Sequence, residues 1–460
     1  MRQLQFAVIA LGASLVLASP IASQTTVGAG PAHSPAREAN APDERPAQEL
    51  YEDANGYLGR KYAEFNKQKL GYDSKLEAKT KQEQKELALA NAATLVGRKN
   101  LCEDDLYYLG MLRHLVGDAE ATLNVMGRYL AKNSKGEKSQ IARAVVVLHA
   151  TRTNLLPEAE ATVATYRKNE PIDFNELFGM EALLTEAFKK ANSYARMEEH
   201  ARAMLEVARN EKAAAKVGVF RRDERLFKAT SQLADALIKT DRHDEALATL
   251  RDLLKLSLTL PSGNLYKMAR MRLAGLDPGT DSLKLLAGKR LEAGVTPEIV
   301  AAEWIDQQPV TLAELRGQVV LLDFWAHWCG PCHYVFPKLQ RWHESYKDKG
   351  LVILGMTNYF GQANGKRAST AEELAYLRDF KKRNRLPYGF VISGSTKNDI
   401  NYGVSSIPMS FLIDRTGTVR FIAVGANDEE TTALGKKIRE LIEEPAPTST
   451  DVRSSRSGRP

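Results

Sequence analysis

Cys329 and Cys332, separated by Gly330 and Pro331, are the residues of this 460-residue sequence whose types and spacing most directly imply chemistry. Two thiols in a C-x-x-C spacing can open and close a disulfide between themselves. With His333 next in line, the same stretch also spells C-x-x-C-H, the form in which c-type haem is attached through two thioether bonds and an axial histidine. A zinc site needs four ligands, and no second C-x-x-C or spaced Cys/His pair accompanies this one, so no metal is expected. The third cysteine, Cys102, lies in NLCEDDLYYLGMLRHL, where Leu106, Leu109, Leu112 and Leu115 mark the apolar face of a helix. It is expected to be a buried, inert thiol.

The residues around the pair set its reactivity. The apolar run VVLLDFW reads as a strand leading into the cysteines, and a helical pattern begins at them. Cys329 would then cap a helix, facing unpaired backbone N–H groups and the positive end of the helix dipole. Both favour thiolate over thiol. His327 and His333 flank the pair and would also favour a thiolate if protonated; solvated loop and helix-start histidines are the plainer reading. Trp325 reads as packing, and Trp328 as an exposed apolar rim beside Cys329.

Beyond about residue 296 short apolar runs of strand length recur at 318–325, 350–357, 389–393, 409–414 and 418–424. Amphipathic stretches at 333–348, 370–385 and 428–443 separate them, and Arg415-Thr416-Gly417 makes a turn between the last two runs. The order β-α-β-α-β-β-α implies parallel crossovers first and a closing antiparallel hairpin. Upstream, residues 47–289 form a run of amphipathic helices rich in Ala, Leu, Glu, Lys and Arg. Breaks fall at Gly117-Asp118, Asn133-Ser134, Asn154, Asn169-Glu170-Pro171, Asp241-Arg242 and Pro261-Ser262-Gly263. Ala119-Glu120-Ala121-Thr122 recurs at Ala159–Thr162, with Ala201 and Ala246 at comparable spacing, and TDRHDEALATLRDLLKL resembles the second helix of a tetratricopeptide unit. The expected fold class is therefore multidomain: an all-α, helical-hairpin domain at 47–289 and an α/β domain at 296–445.

The ends read differently. Arg2 followed by the apolar Phe6–Leu17 and small residues to Ser23 is the pattern of an export signal over residues 1–23. Export to the periplasm is expected, with a membrane tether if the segment stays uncleaved. Residues 24–46 read as a spacer and 446–460 as a structureless tail. The net charge of +7 is small for this length, and no basic stripe interleaved with aromatics points to nucleic acid. The local cluster Lys381, Lys382, Arg383 and Arg385 reads as the solvated end of a helix.

LLDFWAHWCGPC with Pro337 beyond it resembles thioredoxin. QPVTLAELRGQVVLLDFWAHWCGPC followed by YGVSSIPMSFLIDRTGTVRFIAVGA resembles more closely the exported TlpA/ResA-like thiol-disulfide oxidoreductases, over roughly residues 300–444. The resemblance implies a thioredoxin-like fold with a cis bond at Ile407–Pro408 facing the cysteines. It implies Cys329 as exposed nucleophile and Cys332 as resolving thiol, with Gly330 and Pro331 keeping the turn tight. Asp323 resembles the family's buried acid and would take the Cys332 proton through water. A strand-end acid paired with a lysine is the alternative. Many TlpA-like chains carry a glutamate three positions past the second cysteine, where this chain has Val335. Ile407 would offer its backbone to an extended substrate, and Gly425 resembles the glycine where backbone approaches the site.

This breadth of resemblance, against a five-letter match, favours a dithiol over haem attachment, so no cofactor beyond the Cys329–Cys332 disulfide is expected. Ala326 stands where peroxidase chemistry wants Thr or Ser. A helical-repeat adaptor with a binding-only thioredoxin-like module is the remaining alternative. The Gly330-Pro331 dipeptide between the cysteines resembles that of reducing members. Expected partners are disulfide-bearing proteins, apocytochrome c among the candidates, and a membrane thiol donor for re-reduction, with the helical domain available for protein contacts.

Overall fold

The computed structural model describes residues 44–210, 214, 217–277 and 296–445. The expected signal segment, nearly all of the spacer, and the tail lie outside them. The chain divides into two compact units between Ser193 and Tyr194.

The first unit is all helical: α1 (Ala47–Lys67), α2 (Ser74–Val96), α3 (Glu103–Val116), α4 (Ala119–Lys132), α5 (Glu137–Arg152), α6 (Leu156–Arg167) and α7 (Phe174–Lys190). Each neighbour in sequence packs on the next, and α5 also packs on α7. Asp73, Asp118 and Asp173 cap α2, α4 and α7 by accepting backbone N–H groups of the first turn. Gly117 ends α3 in the left-handed conformation, φ 86°. Leu50, Leu95, Leu106, Leu109, Leu112 and Met126 are buried in one apolar cluster. Cys102 is not buried as expected. It is exposed and caps α3, its sulfur accepting the Asp105 N–H at 3.4 Å while the Asp105 carboxylate accepts the Cys102 N–H. The helix begins one residue later, so Cys102 never joins the leucine face. The literal Ala-Glu-Ala-Thr recurrence is likewise out of structural register: Ala119 opens α4, whereas Ala159 sits one turn into α6.

The second unit combines helices α8 (Tyr194–Arg209), α9 (Val219–Lys239), α10 (His243–Thr259) and α11 (Gly263–Leu276) with a six-stranded sheet. The expected single helical domain over 47–289 is therefore split; its last helices belong with the sheet, for a reason visible in the packing. The strands are β1 (Glu303–Ile305), β2 (Val319–Phe324), β3 (Leu351–Asn358), β6 (Gly389–Ser393), β7 (Met409–Ile413) and β8 (Val419–Val424), in the order β1-β6-β3-β2-β7-β8. A small hairpin, β4 (Gln362–Ala363) and β5 (Lys366–Arg367), stands apart. β2, β3 and β6 are parallel, and β7 and β8 close the sheet antiparallel, as the element order predicts. Asp414 and Gly417, φ 81°, close the β7–β8 turn.

One face of β2 carries Val319 and Leu321 into a cluster with Leu339 of α12 (Gly330–Tyr346), Phe380 of α13 (Thr370–Arg383) and Ile438 of α15 (Asp428–Glu443). The opposite face carries Phe324, whose ring meets Phe411 at 5.6 Å and Tyr402 at 5.5 Å. Within the sheet domain, only the five-residue α14 (Lys397–Asn401) is available to that side. The α10–α11 hairpin covers it, packing on β8. Gly263 is the point of closest approach: a Cβ there would overlap Met409 and lie 3.2 Å from Phe411.

This contact predicts that Gly263→Val destabilises the unit by about 1–3 kcal/mol through overpacking. Gly275→Ala, where a Cβ meets nothing, is neutral or stabilising by up to about 1 kcal/mol. All 4 tryptophans lie in the second unit, at residues 304, 325, 328 and 342, so tryptophan fluorescence in urea reads this difference directly.

Candidate active site

The site is built at the junction of β2 and α12. Cys329 is the N-cap of α12 in an extended conformation, and its sulfur accepts the Cys332 N–H at 3.2 Å. Gly330 and Pro331 occupy the first two helical positions, where a proline's missing N–H costs no helical hydrogen bond. Cys329 and Cys332 are joined in a disulfide, S–S 2.03 Å. Cys332 is 1% exposed and Cys329 only 5%. In this oxidised form the expected exposed nucleophile is nearly covered, because bonding to Cys332 holds its sulfur in the apolar cluster against which Ile407 packs. Trp328, at 54% exposure, forms the rim, and its ring meets Phe360 edge-on at 5.5 Å. Trp325 is interior packing, stacked on Phe380.

Asp323 is 1% exposed at the centre of the sheet. Strand alternation puts it on the same face of β2 as Leu321 and Trp325, both members of the cluster that holds Cys332. Its partner is not a lysine. Ser410, directly opposite on β7, donates its hydroxyl to Asp323 Oδ1 at 2.7 Å. Burial raises the carboxyl pKa to about 6, with the Ser410 hydrogen bond pulling the other way. The acid is thus poised to hold or release a proton near neutrality, on the strand face that packs into the cluster containing both sulfurs.

Ile407–Pro408 is cis. Pro408 is buried and its carbonyl accepts the N–H of Gly425, whose φ of 90° suits glycine. Among the described residues, neither the N–H nor the carbonyl of Ile407 has a hydrogen-bond partner. Beside it runs a cleft of about 290 Å³ between Trp328, Phe360, Met356 and the Val404–Ile407 loop. Pro337 stands inside α12, where it removes one helical hydrogen bond, and Val335 is buried.

His327 departs from the solvated reading, whereas His333, exposed in the first turn of α12, keeps it. His327 is buried, with Nε2 3.7 Å from the fully buried carboxylate of Glu373; burial pushes its pKa down, and Glu373 opposes that. Glu373 also accepts the N–H groups of Phe360 and Gly361, each at 2.8 Å, so it fixes the loop behind Trp328. His333 donates from Nε2 to the His327 carbonyl at 3.0 Å and lies against Phe336. The distal basic cluster is only partly solvated: Lys381 is buried against Asp306, and Arg383 pairs with Asp379. Ser410 and Glu373 escaped the sequence reading. A serine on the inward face of MSFLI, otherwise apolar, was the available signal for the first; the second lies in an ordinary polar helix start and left none.

Residues 295–438 match the Redoxin family model. The thiol-disulfide oxidoreductase ResA of Bacillus cereus is 29% identical over 150 residues, covering 33% of this chain and 76% of its own. The C-terminal domain is thioredoxin-like and is similar to the TlpA/ResA-like thiol-disulfide oxidoreductases. DipZ of Mycobacterium bovis is 30% identical over 161 residues, 34% of this chain. This chain spans only 21% of the length of DipZ, and the family match leaves the helical region aside. StoA of Bacillus subtilis aligns in structure over 31% of this chain and 98% of its own at 20% identity, with a TM-score of 0.26, which adds nothing to the assignment. Among the described residues no helix is long and apolar enough to cross a membrane.

The raised Asp323 pKa carries a stability prediction. The folded chain holds a proton to about pH 6 that the unfolded chain releases near 3.8. Stability of the oxidised protein therefore falls as pH rises through that interval, by on the order of 2–3 kcal/mol, and stays lower above it. Asp323→Asn removes that slope and is more stable than the parent at pH 8 but not at pH 3.5, as measured by urea unfolding at each pH.

Proposed function

We propose that the TlpA/ResA-like domain reduces protein disulfides by dithiol-disulfide exchange. The observation that carries this is the sulfur of Cys329 at the start of α12, with a backbone N–H aimed at it. In the reduced protein that N–H and the helix dipole stabilise the Cys329 thiolate. The thiolate attacks one sulfur of the substrate disulfide, forming a mixed disulfide and expelling the other as thiolate. Cys332 then gives up its proton, for which Asp323, acting through water, is the acceptor, and attacks the Cys329 sulfur. The second substrate thiolate leaves, and the Cys329–Cys332 disulfide remains. Two electrons have passed to the substrate, and a thiol donor must return them.

The unpaired backbone of Ile407 next to Pro408 would align an extended substrate segment as an added strand. Trp328 would lie against it as an apolar rim. The signal-like N-terminus supports export to the periplasm, where the reductant would be a membrane thiol protein. Apocytochrome c, whose C-x-x-C-H must be reduced before haem attachment, is one client that fits such a reductase. The adaptor alternative gains nothing from a site that keeps both cysteines, the buried acid and the cis proline together.

The purified protein is expected to show a midpoint potential of about −270 mV, the reducing end of the thioredoxin range. A value near −120 mV contradicts the reductive direction. Cys329→Ser is expected to bring insulin-disulfide reduction down to the uncatalysed rate; unchanged reduction, or covalently bound haem in the parent protein, contradicts the proposal.

A further inference from the structure

The helices adjoining the sheet do more than cover it. The Ser262–Gly263 turn at the start of α11 pairs with the chain just ahead of the cis proline. Gly263 N–H donates to the Tyr402 carbonyl at 2.9 Å, and Asn264 N–H to the Gly403 carbonyl at 2.7 Å. Beneath this pairing Ser262 donates to the buried Asp223 of α9, which Arg222 also holds at 2.8 Å. At the other end of the same face, Arg270 pairs with Glu430 of α15. α11 is thereby fixed in register with the segment Tyr402–Ile407, whose residues Val404–Ile407 wall the cleft beside Trp328.

One turn along α11 from Asn264 this register brings a cation to Ser406, at the edge of the cleft. Lys267 Nζ lies 3.4 Å from Ser406 Oγ, one residue before Ile407. Ser406 and Ile407 both line the cleft. Lys267 is half-buried, and among the described residues no carboxylate lies within ion-pair distance of it. Two of its three N–H donors therefore remain for another group. The one carboxylate lining the cleft, Asp399, is engaged by Asn358 Nδ2 at 2.7 Å, and burial favours its neutral form.

We infer that Lys267 is a specificity-determining residue, by which the α9–α11 helices select substrate segments carrying an aspartate or glutamate beside the disulfide. A segment aligned on Ile407 passes Ser406, and an acidic side chain there meets an unneutralised ammonium. The inference rests on the disulfide-reductase reading and names the substrate class for that site. Lys267 touches no sulfur, so its effect falls on substrate binding rather than on exchange.

The test uses the full-length protein and two cystine peptides identical except for Glu or Gln at the residues flanking the cystine. The parent protein is expected to show kcat/KM about three- to fivefold higher for the Glu peptide, the range of a partly exposed charge pair. The difference should lie in KM and shrink as salt shortens the screening length. Lys267→Met brings the ratio to about one, Lys267→Glu brings it below one, and Lys267→Arg retains the preference. Tryptophan fluorescence melts establish that each variant is folded. A parent ratio of one with insulin still reduced, or a preference that survives both Lys267→Met and Lys267→Glu, overturns this inference alone. Failure of the parent to reduce either peptide or insulin overturns the reductase reading and this inference with it.

Discussion

A backbone N–H pointing at a sulfur, Cys332 to Cys329, is the contact around which the second unit is organised. It exists because β2 runs straight into α12 with Cys329 as the cap, leaving the first-turn N–H groups without helical partners. Everything nearby keeps that junction in one geometry. Pro331 starts the helix at a position where its missing N–H is harmless, and Trp325, stacked on Phe380, anchors the strand end in the core. Glu373 ties down the loop behind Trp328. The same sheet places Asp323 where burial keeps its proton to about pH 6. A helix terminus favours negative charge on the Cys329 sulfur, the asymmetry that two-step exchange needs of two chemically identical side chains, and a desolvated acid lies on the strand face whose Leu321 joins the cluster holding both sulfurs.

The second dependency runs through the upstream helices. A thioredoxin-like sheet must cover both faces, and here one face is served within its own domain by a single five-residue helix. The α10–α11 hairpin covers the remainder, with a glycine at the tightest point so that backbone can approach Met409 and Phe411. Because the contact falls on the chain that leads into the cis proline, closing the core and walling the cleft beside Ile407 are one structural act. This gives the helices after Ser193 a role distinct from that of α1–α7, which form a compact unit of their own.

Most of the α/β domain was legible because its signals are local. Apolar runs of strand length, Gly417 in a turn, and helix faces at a period of 3.6 located five strands and three helices to within a few residues. The short β1 and the β4–β5 hairpin were missed because three- and two-residue strands have too little alternation to detect. In the helical region the breaks at Gly117-Asp118, Asn133-Ser134, Asn154, Asn169-Glu170-Pro171, Asp241-Arg242 and Pro261-Ser262-Gly263 were visible. Those after α1, α2 and α7 were not: a lone Gly71, Gly97 or Asn192 marks each, too weak a signal against the polar helical sequence on either side. Cys102 was misplaced by one residue of helix boundary, enough to move it from a buried face to an exposed cap. The cysteines, Asp323, Trp328, Ile407 and Pro408 stand in motifs. Ser410, Glu373 and Lys267 do not, since their positions depend on strand register and helix docking, which composition does not encode.

The account turns on the division of labour between the two sulfurs, and trapping the intermediate tests it most directly. With Cys332→Ser in a Cys102→Ser background, a disulfide substrate should leave a one-to-one covalent adduct at Cys329, stable until dithiothreitol is added and mapped by mass spectrometry. Cys329→Ser in the same background should trap none, because Cys332 is enclosed. An adduct on Cys332 in the second variant, or none on Cys329 in the first, would contradict the account.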